Sequence, residues 1–355
     1  MGSIALNETA PRVLLIRFGS IGNALVAVPA IRALRQAWPD ALLSLLADPM
    51  TREIFQGCPY LNETILYDWK GAHRFGHGYF KLVAELRRRR FTHALHFRRY
   101  LRSELLGLFS GAGERIGFQT RARLQWLTRK VPYREGESVI EQNLNLVRAL
   151  GIRAEDRRLE CWPASGSAAV DRIFGQLGNG PGPAVVIHPA GATQRERLWP
   201  FYGALAQELL EQGRAKVIMI GTPAEAGEVD RQAAQVRAPV VKALGLPIRE
   251  VAELIRRADL FVGTDSGPCH LADAVGTPSV ILYAPHRGLE AQVRKWKPEG
   301  EGFVALLPQK DCRECGEYPC PLSRQQECAA SIPLEEAVAA AEKLLGKGKP
   351  EARPK

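Results

Sequence analysis

Two short turns in the second half of the chain carry residue types that can hold a polyanion. Asp259–Thr264 is a short apolar run that reads as a buried strand. It leads into the turn Thr264-Asp265-Ser266-Gly267, and Pro268 then suits a first helical position, where its missing N–H would be unpaired anyway. A helix over His270–Val275, a stop at Gly276 and a strand over Ser279–Tyr283 follow. Free backbone N–H groups and the positive end of a helix dipole would therefore face the turn, an arrangement that suits phosphate. His270, one turn further on, either donates to that phosphate or packs as an ordinary helix residue.

The second turn is Gly191-Ala192-Thr193, after the strand Ala184–Ile187. Arg197 stands just beyond it, and its guanidinium suits bidentate phosphate binding. Glu225 follows the end of another strand, Val217–Gly221, where a carboxylate can accept from ribose hydroxyls. Together these residues point to a nucleoside diphosphate. The sequence holds no Asp-x-Asp pair, so phosphate charge is expected to be met by Arg197 and helix N-termini without a metal ion.

Strand and helix signals alternate along the chain, as in doubly wound α/β domains, which bind ligands at the carboxyl edge of a parallel sheet. Val13–Arg17 is the opening strand and Phe18-Gly19-Ser20-Ile21-Gly22-Asn23 a glycine loop. A helix from about Ile21 to Trp38, bent at Pro29, leads to a strand at Leu42–Ala47. The loop has neither the G-x-G-x-x-G dinucleotide fingerprint nor a Walker Gly-Lys-Ser/Thr, which argues against an NAD enzyme or a P-loop NTPase. Trp162–Ser167, rich in small residues, reads as an interdomain linker. An Ala-rich amphipathic helix is expected over Pro333–Leu345.

The 355 residues suffice for two domains, and the formal charge of +10 is unevenly placed. Residues 1–180 hold 26 Lys and Arg against 16 acids, whereas residues 181–355 hold 22 of each. Between Arg74 and Lys130 there are 14 basic residues and only three acids. Such a field favours an anionic partner: nucleic acid, lipid headgroups or a phosphorylated substrate. No apolar run reaches 18 residues, so no transmembrane helix is expected, and the N-terminus carries no secretory signal pattern. Cys312, Cys315, Cys320 and Cys328 are four clustered thiols, the number that tetrahedral zinc takes. Free packed thiols are expected there, with a structural zinc as the alternative.

Three motifs carry a resemblance. RFGSIGNALVAVPAIRAL follows the first strand, HPAGATQRERLWP joins a proline-glycine turn to a basic residue before Trp-Pro, and GTDSGPCHLADA contains G-x-D-[ST]-G-x-x-H-x-A. In this order and spacing, from about Arg12 to Leu345, the chain resembles glycosyltransferase family 9, the ADP-heptose lipopolysaccharide heptosyltransferases. The resemblance implies a GT-B fold, two Rossmann-like domains facing across a cleft. Residues 1–163 would bind the acceptor and residues 164–330 the nucleotide sugar. Residues 331–355 would form a helix packing back toward the first domain, then a tail.

It also implies an inverting, metal-independent enzyme with no cofactor, moving heptose from an ADP-sugar donor. The acceptor would be the anionic lipid A–Kdo inner core at the cytoplasmic face of the inner membrane, with peripheral membrane contact and no nucleic acid. Thr193, Arg197, Asp265, Ser266, Gly267 and His270 fall at diphosphate-binding positions and Glu225 near the ribose. The acceptor side carries Gly22 and the basic Arg98, Arg99 and Arg102. Two departures stand out. The family's general-base Asp after the second loop glycine is Asn23 here, and an amide takes no proton at neutral pH. The Lys before Trp-Pro is Arg197, which keeps the charge and changes the geometry.

Overall fold

The computed structural model describes residues 10–74, 76–120, 126–178, 182–191, 198–211, 215–238, 240–283, 289–299, 302–309 and 327–348. The chain divides into two compact units, Met1–Trp162 and Pro163–Lys355.

The first unit is built on six strands: β1 (Arg12–Ile16), β2 (Leu42–Ala47), β3 (Glu63–Leu66), β4 (His93–His96), β5 (Glu114–Phe118) and β6 (Arg129–Val131). Their order is β3-β2-β1-β4-β5-β6, and every neighbour is parallel. β1 and β2 read VLLI and LLSLLA because both faces of a parallel sheet are covered by helices. Leu14, Leu15, Leu43, Leu45 and Leu46 are fully buried.

The second unit has β7 (Ala184–His188), β8 (Lys216–Gly221), β9 (Val241–Leu244), β10 (Leu260–Thr264), β11 (Ser279–Leu282) and β12 (Phe303–Leu306). The order is β12-β11-β10-β7-β8-β9, again wholly parallel. Each sheet thus repeats one doubly wound arrangement. The strand order reverses beside the first strand of each unit, between β1 and β4 and between β7 and β10. That reversal opens a crevice at the carboxyl ends of the strands.

One expectation needs correction. The single bent helix over 21–38 is two helices, Ile21–Leu25 and Val28–Ala37. Pro29 lies in the first turn of the second, where its lost N–H costs nothing, so it begins a helix rather than bending one. β6, β9, β12 and the helix Pro49–Ile54 have no counterpart in the sequence reading, which left those segments unassigned. The helix Leu334–Gly346 buries Ala337, Ala340, Ala341 and Leu344 in the second unit's core. There they meet Trp199, Leu209, Val262 and Leu282, and Trp199 Nε1 donates to the Ile332 carbonyl at 3.0 Å. The small alanine faces let this helix approach the sheet closely.

Candidate active site

In the second unit the reversal crevice lies between β7 and β10, and the two loops leaving those strands touch. β7 ends at His188, and the chain turns at Gly191, whose φ is +98°. A Cβ at Gly191 would stand 2.9 Å from Ser266 Cβ and 3.0 Å from His188 Cε1, so only glycine fits between the loops. Ser266 Oγ lies 3.4 Å from His188 Nδ1 and donates to the Thr264 carbonyl at 3.2 Å. It makes no side-chain cap on the helix Gly267–Val275 that follows, which leaves the first N–H of that helix uncapped by its side chain.

On its other side, His188 Nε2 sits 3.5 Å from Glu225 Oε2. That carboxylate also accepts from Thr222 N at 2.8 Å and Thr222 Oγ1 at 2.9 Å. His188 first, then the Thr222 bonds against the cost of burial, pull the Glu225 carboxyl down to about 2. His188 therefore joins two predicted site residues, Ser266 and Glu225, into one line along the sheet edge. The sequence reading passed over His188; its signal was a polar residue closing an otherwise apolar strand.

His270 is buried edge-on to Trp296, with ring centroids 5.8 Å apart, and burial pushes its imidazole down to about 4. At neutral pH it is an uncharged packed residue that retains one N–H. Asp265 Oδ2 accepts from Gln292 Nε2 at 3.2 Å. Among the described residues, Asp265, Cys269 and His270 bring ligand-type atoms within 4.8 Å of one another. Burial raises the Cys269 thiol, which opposes the thiolate a metal would need. Thr193 and Arg197 lie outside the described residues, as do Cys312, Cys315 and Cys320. Cys328 is half-buried.

The first unit's crevice, between β1 and β4, is built differently. Arg17 follows β1 and is 1 % exposed. It donates to the Phe97 carbonyl at 2.7 Å, to the Asn23 carbonyl, and to Asn23 Oδ1 at 3.0 Å. Asn23 Nδ2 in turn donates to Ser20 Oγ at 2.8 Å. Asp48 caps the next helix, accepting from Thr51 N, and holds the glycine loop through Gly19 N, both at 2.8 Å. Gly22 is buried in the short helix beneath.

Arg98 lies over the loop at Gly19, its guanidinium 4.4 Å from the Tyr100 ring centre. The other two expected acceptor arginines stand on separate rings, Arg99 over Tyr133 and Arg102 over Trp69. Trp69, Lys70, Arg74 and Arg102 line an open pocket of about 320 Å³. The structure thus brings Asn23 and Arg98 to the same glycine, Gly19, and sets Arg99 and Arg102 on other rings. Arg17, at the centre of the loop's bonding, was missed because it reads as the polar end of a strand.

The arrangement has close counterparts among solved structures. A glycosyl transferase family 9 protein from Veillonella parvula superposes with a TM-score of 0.81 at 18% identity, covering 95% of this chain and 98% of that one. The E. coli ADP-heptose lps heptosyltransferase II gives 0.71 at 18% identity, covering 95% and 99%. These likenesses establish the GT-B fold. In sequence, the chain is 25% identical over 346 residues to lipopolysaccharide heptosyltransferase 3 of Escherichia coli, covering 91% of this chain and 96% of that one. Residues 79–324, well over half of the chain, match glycosyltransferase family 9 (heptosyltransferase), and the chain belongs to that family.

Proposed function

We propose that this glycosyltransferase moves heptose from an ADP-heptose donor to the inner core of lipopolysaccharide, with inversion at the anomeric carbon. The observation that carries the donor half is the contact between the two crevice loops of the second unit. Gly191 and the uncapped helix at Gly267 offer N–H donors to a diphosphate, Ser266 lines the same turn, and Glu225 offers acceptors to a ribose. The acceptor hydroxyl attacks the anomeric carbon from the side opposite the diphosphate. The C–O bond to the nucleotide breaks, and donors at the helix N-terminus, with Arg197, stabilise the departing charge. No metal ion is required in this scheme, because fixed donors meet the phosphate charge.

The acceptor half is supported by the basic first unit. Its excess of cations between Arg74 and Lys130 and its arginine–aromatic pairs suit a phosphorylated, carboxylate-bearing lipid at the cytoplasmic face of a membrane. No helix among the described residues is long and apolar enough to cross a membrane, which fits peripheral attachment. Asn23 favours a second reading, a relative that binds nucleotide sugar or core lipid without turnover, or one that uses another sugar.

The test is transfer by the purified chain with ADP-heptose and a panel of truncated core lipids, read by ADP release and product mass, with EDTA present. Transfer under these conditions supports the proposal. Nucleotide binding without transfer to any acceptor would favour the second reading, and transfer abolished by EDTA would overturn the metal-free scheme.

A further inference from the structure

Arg17 is a buried cation whose described partners include no carboxylate. They are two main-chain carbonyls and the amide oxygen of Asn23. Burial, and then the charge of Arg98, lower the Arg17 guanidinium to about 9, so it remains charged at neutral pH. Among the described residues, Asp48 is the carboxylate whose charge favours it, and both Asp48 oxygens already accept backbone N–H groups. Two positive charges here face one negative charge, an expensive arrangement for a buried site.

Hydrogen-bond chemistry then fixes the direction of every group in the loop. A guanidinium only donates, so the amide oxygen of Asn23 must face Arg17 and its nitrogen must face Ser20. Ser20 Oγ accepts that bond, so its own hydrogen is left to donate elsewhere, and the residue is exposed. Arg98 completes the surface. It lies so close over Gly19 that a Cβ there would stand 2.5 Å from its Nη1. Asn23, Ser20 and Arg98 therefore present donors, with a buried positive charge beneath them.

We propose that Ser20, Asn23 and Arg98 form a subsite for an oxyanion carried by the acceptor, a phosphate or a carboxylate beside the reacting hydroxyl. The proposal rests on the transferase reading and names the chemistry of its acceptor. In the reaction, the hydroxyl oxygen bonds to the anomeric carbon, the carbon–oxygen bond to the diphosphate breaks, and the hydroxyl proton passes to the bound oxyanion. The substrate supplies the base that residue 23 lacks.

The test uses the full chain labelled with ¹⁵N, titrated separately with inorganic phosphate and with acetate. It is read at the Asn23 side-chain amide and the Arg98 Nε–H, and the two anions tell phosphate from carboxylate recognition. Saturable shifts with at least one anion are expected. Asn23→Asp places a carboxylate of nearly the same shape against Arg17, so it should fold, as thermal melting checks, and weaken anion binding at least tenfold. Arg98→Ala should do the same. With a competent acceptor, Asn23→Asp should raise the acceptor KM and leave kcat no higher. Absence of shifts with both anions, equal anion affinity in Asn23→Asp, or a higher kcat in that variant would overturn the subsite. Anion binding that persists in a chain inactive with every donor and acceptor would leave the subsite standing and remove the transferase reading.

Discussion

The two units share one strand order and differ in what stands at the crevice. In the second, the loops after β7 and β10 meet through His188, Gly191 and Ser266, and Glu225 closes the line as an ionised carboxylate. In the first, the loops after β1 and β4 meet through Arg17, Asn23 and Arg98, with no free carboxylate at that crossing among the described residues. One scaffold therefore carries two crevices of opposite character. The second mixes donors with an acceptor, as a nucleotide needs; the first offers donors and positive charge. The lesson is that topology sets where a site can form, and three or four side chains at the reversal set what it binds.

The largest test of this parallel is acid. Each unit buries a histidine at its fourth strand: His96 ends β4 and His270 follows β10. Burial holds His96 near 3, helped by Arg115, and His270 near 4. Below about pH 6.5 the unfolded chain binds protons that the folded chain refuses, so stability falls as pH falls. The linkage slope is about 1.4 kcal/mol per pH unit for each histidine. Because the slope is half of that at pH 6.5 and rises to its full value below, the pair should lose about 3 kcal/mol between pH 6.5 and 5, read by denaturant titration. His96→Gln and His270→Gln should each remove one share, and an unchanged slope in either variant would break the parallel.

Next in size is the same substitution at matched glycines. Gly191→Val drives its side chain into His188 and Ser266 at a positive φ and should cost about 3 kcal/mol of nucleotide binding by calorimetry. Gly19→Val is also strained, at a φ of +131°, and meets the far end of Arg98, but it lies in the first unit and should leave nucleotide affinity unchanged. Glu225→Ala should weaken ADP binding by about 1.5 kcal/mol without touching anion binding at Asn23. The smallest effect is electrostatic. Co-sedimentation with anionic vesicles should weaken steadily as salt rises, since exposed charges are screened beyond about 10 Å at 0.1 M. Equal binding to neutral vesicles would leave the basic face without a lipid role.

Much of the fold was legible because buried parallel strands are nearly continuous apolar runs, as at VLLI and LLSLLA. The strands that escaped, RKV at β6, VKAL at β9 and FVAL at β12, are edge strands, short and at most half-buried overall, so they carry little signal. Loop residues of the second site were legible as motifs. Their connections were not: His188 meets Ser266 across 78 residues and Arg17 meets Phe97 across 80. Local pattern specifies a turn, whereas a tertiary contact decides which polar group beside it becomes part of the site.

The helix Leu334–Gly346 has a consequence for the order in which the molecule can be made. Trp199 and the carbonyl it binds at Ile332 are 133 residues apart, and the apolar face of the second sheet is finished only when that helix arrives. The first unit's sheet is complete by β6, ending at Val131. On the ribosome the first unit can therefore close while the second is still being synthesised. The second sheet, with Val262 and Leu282 uncovered, must wait for its last helix. During that interval it is the part of the nascent chain most in need of a chaperone, and shortening the chain before Leu334 should send it to aggregation rather than to a smaller folded enzyme.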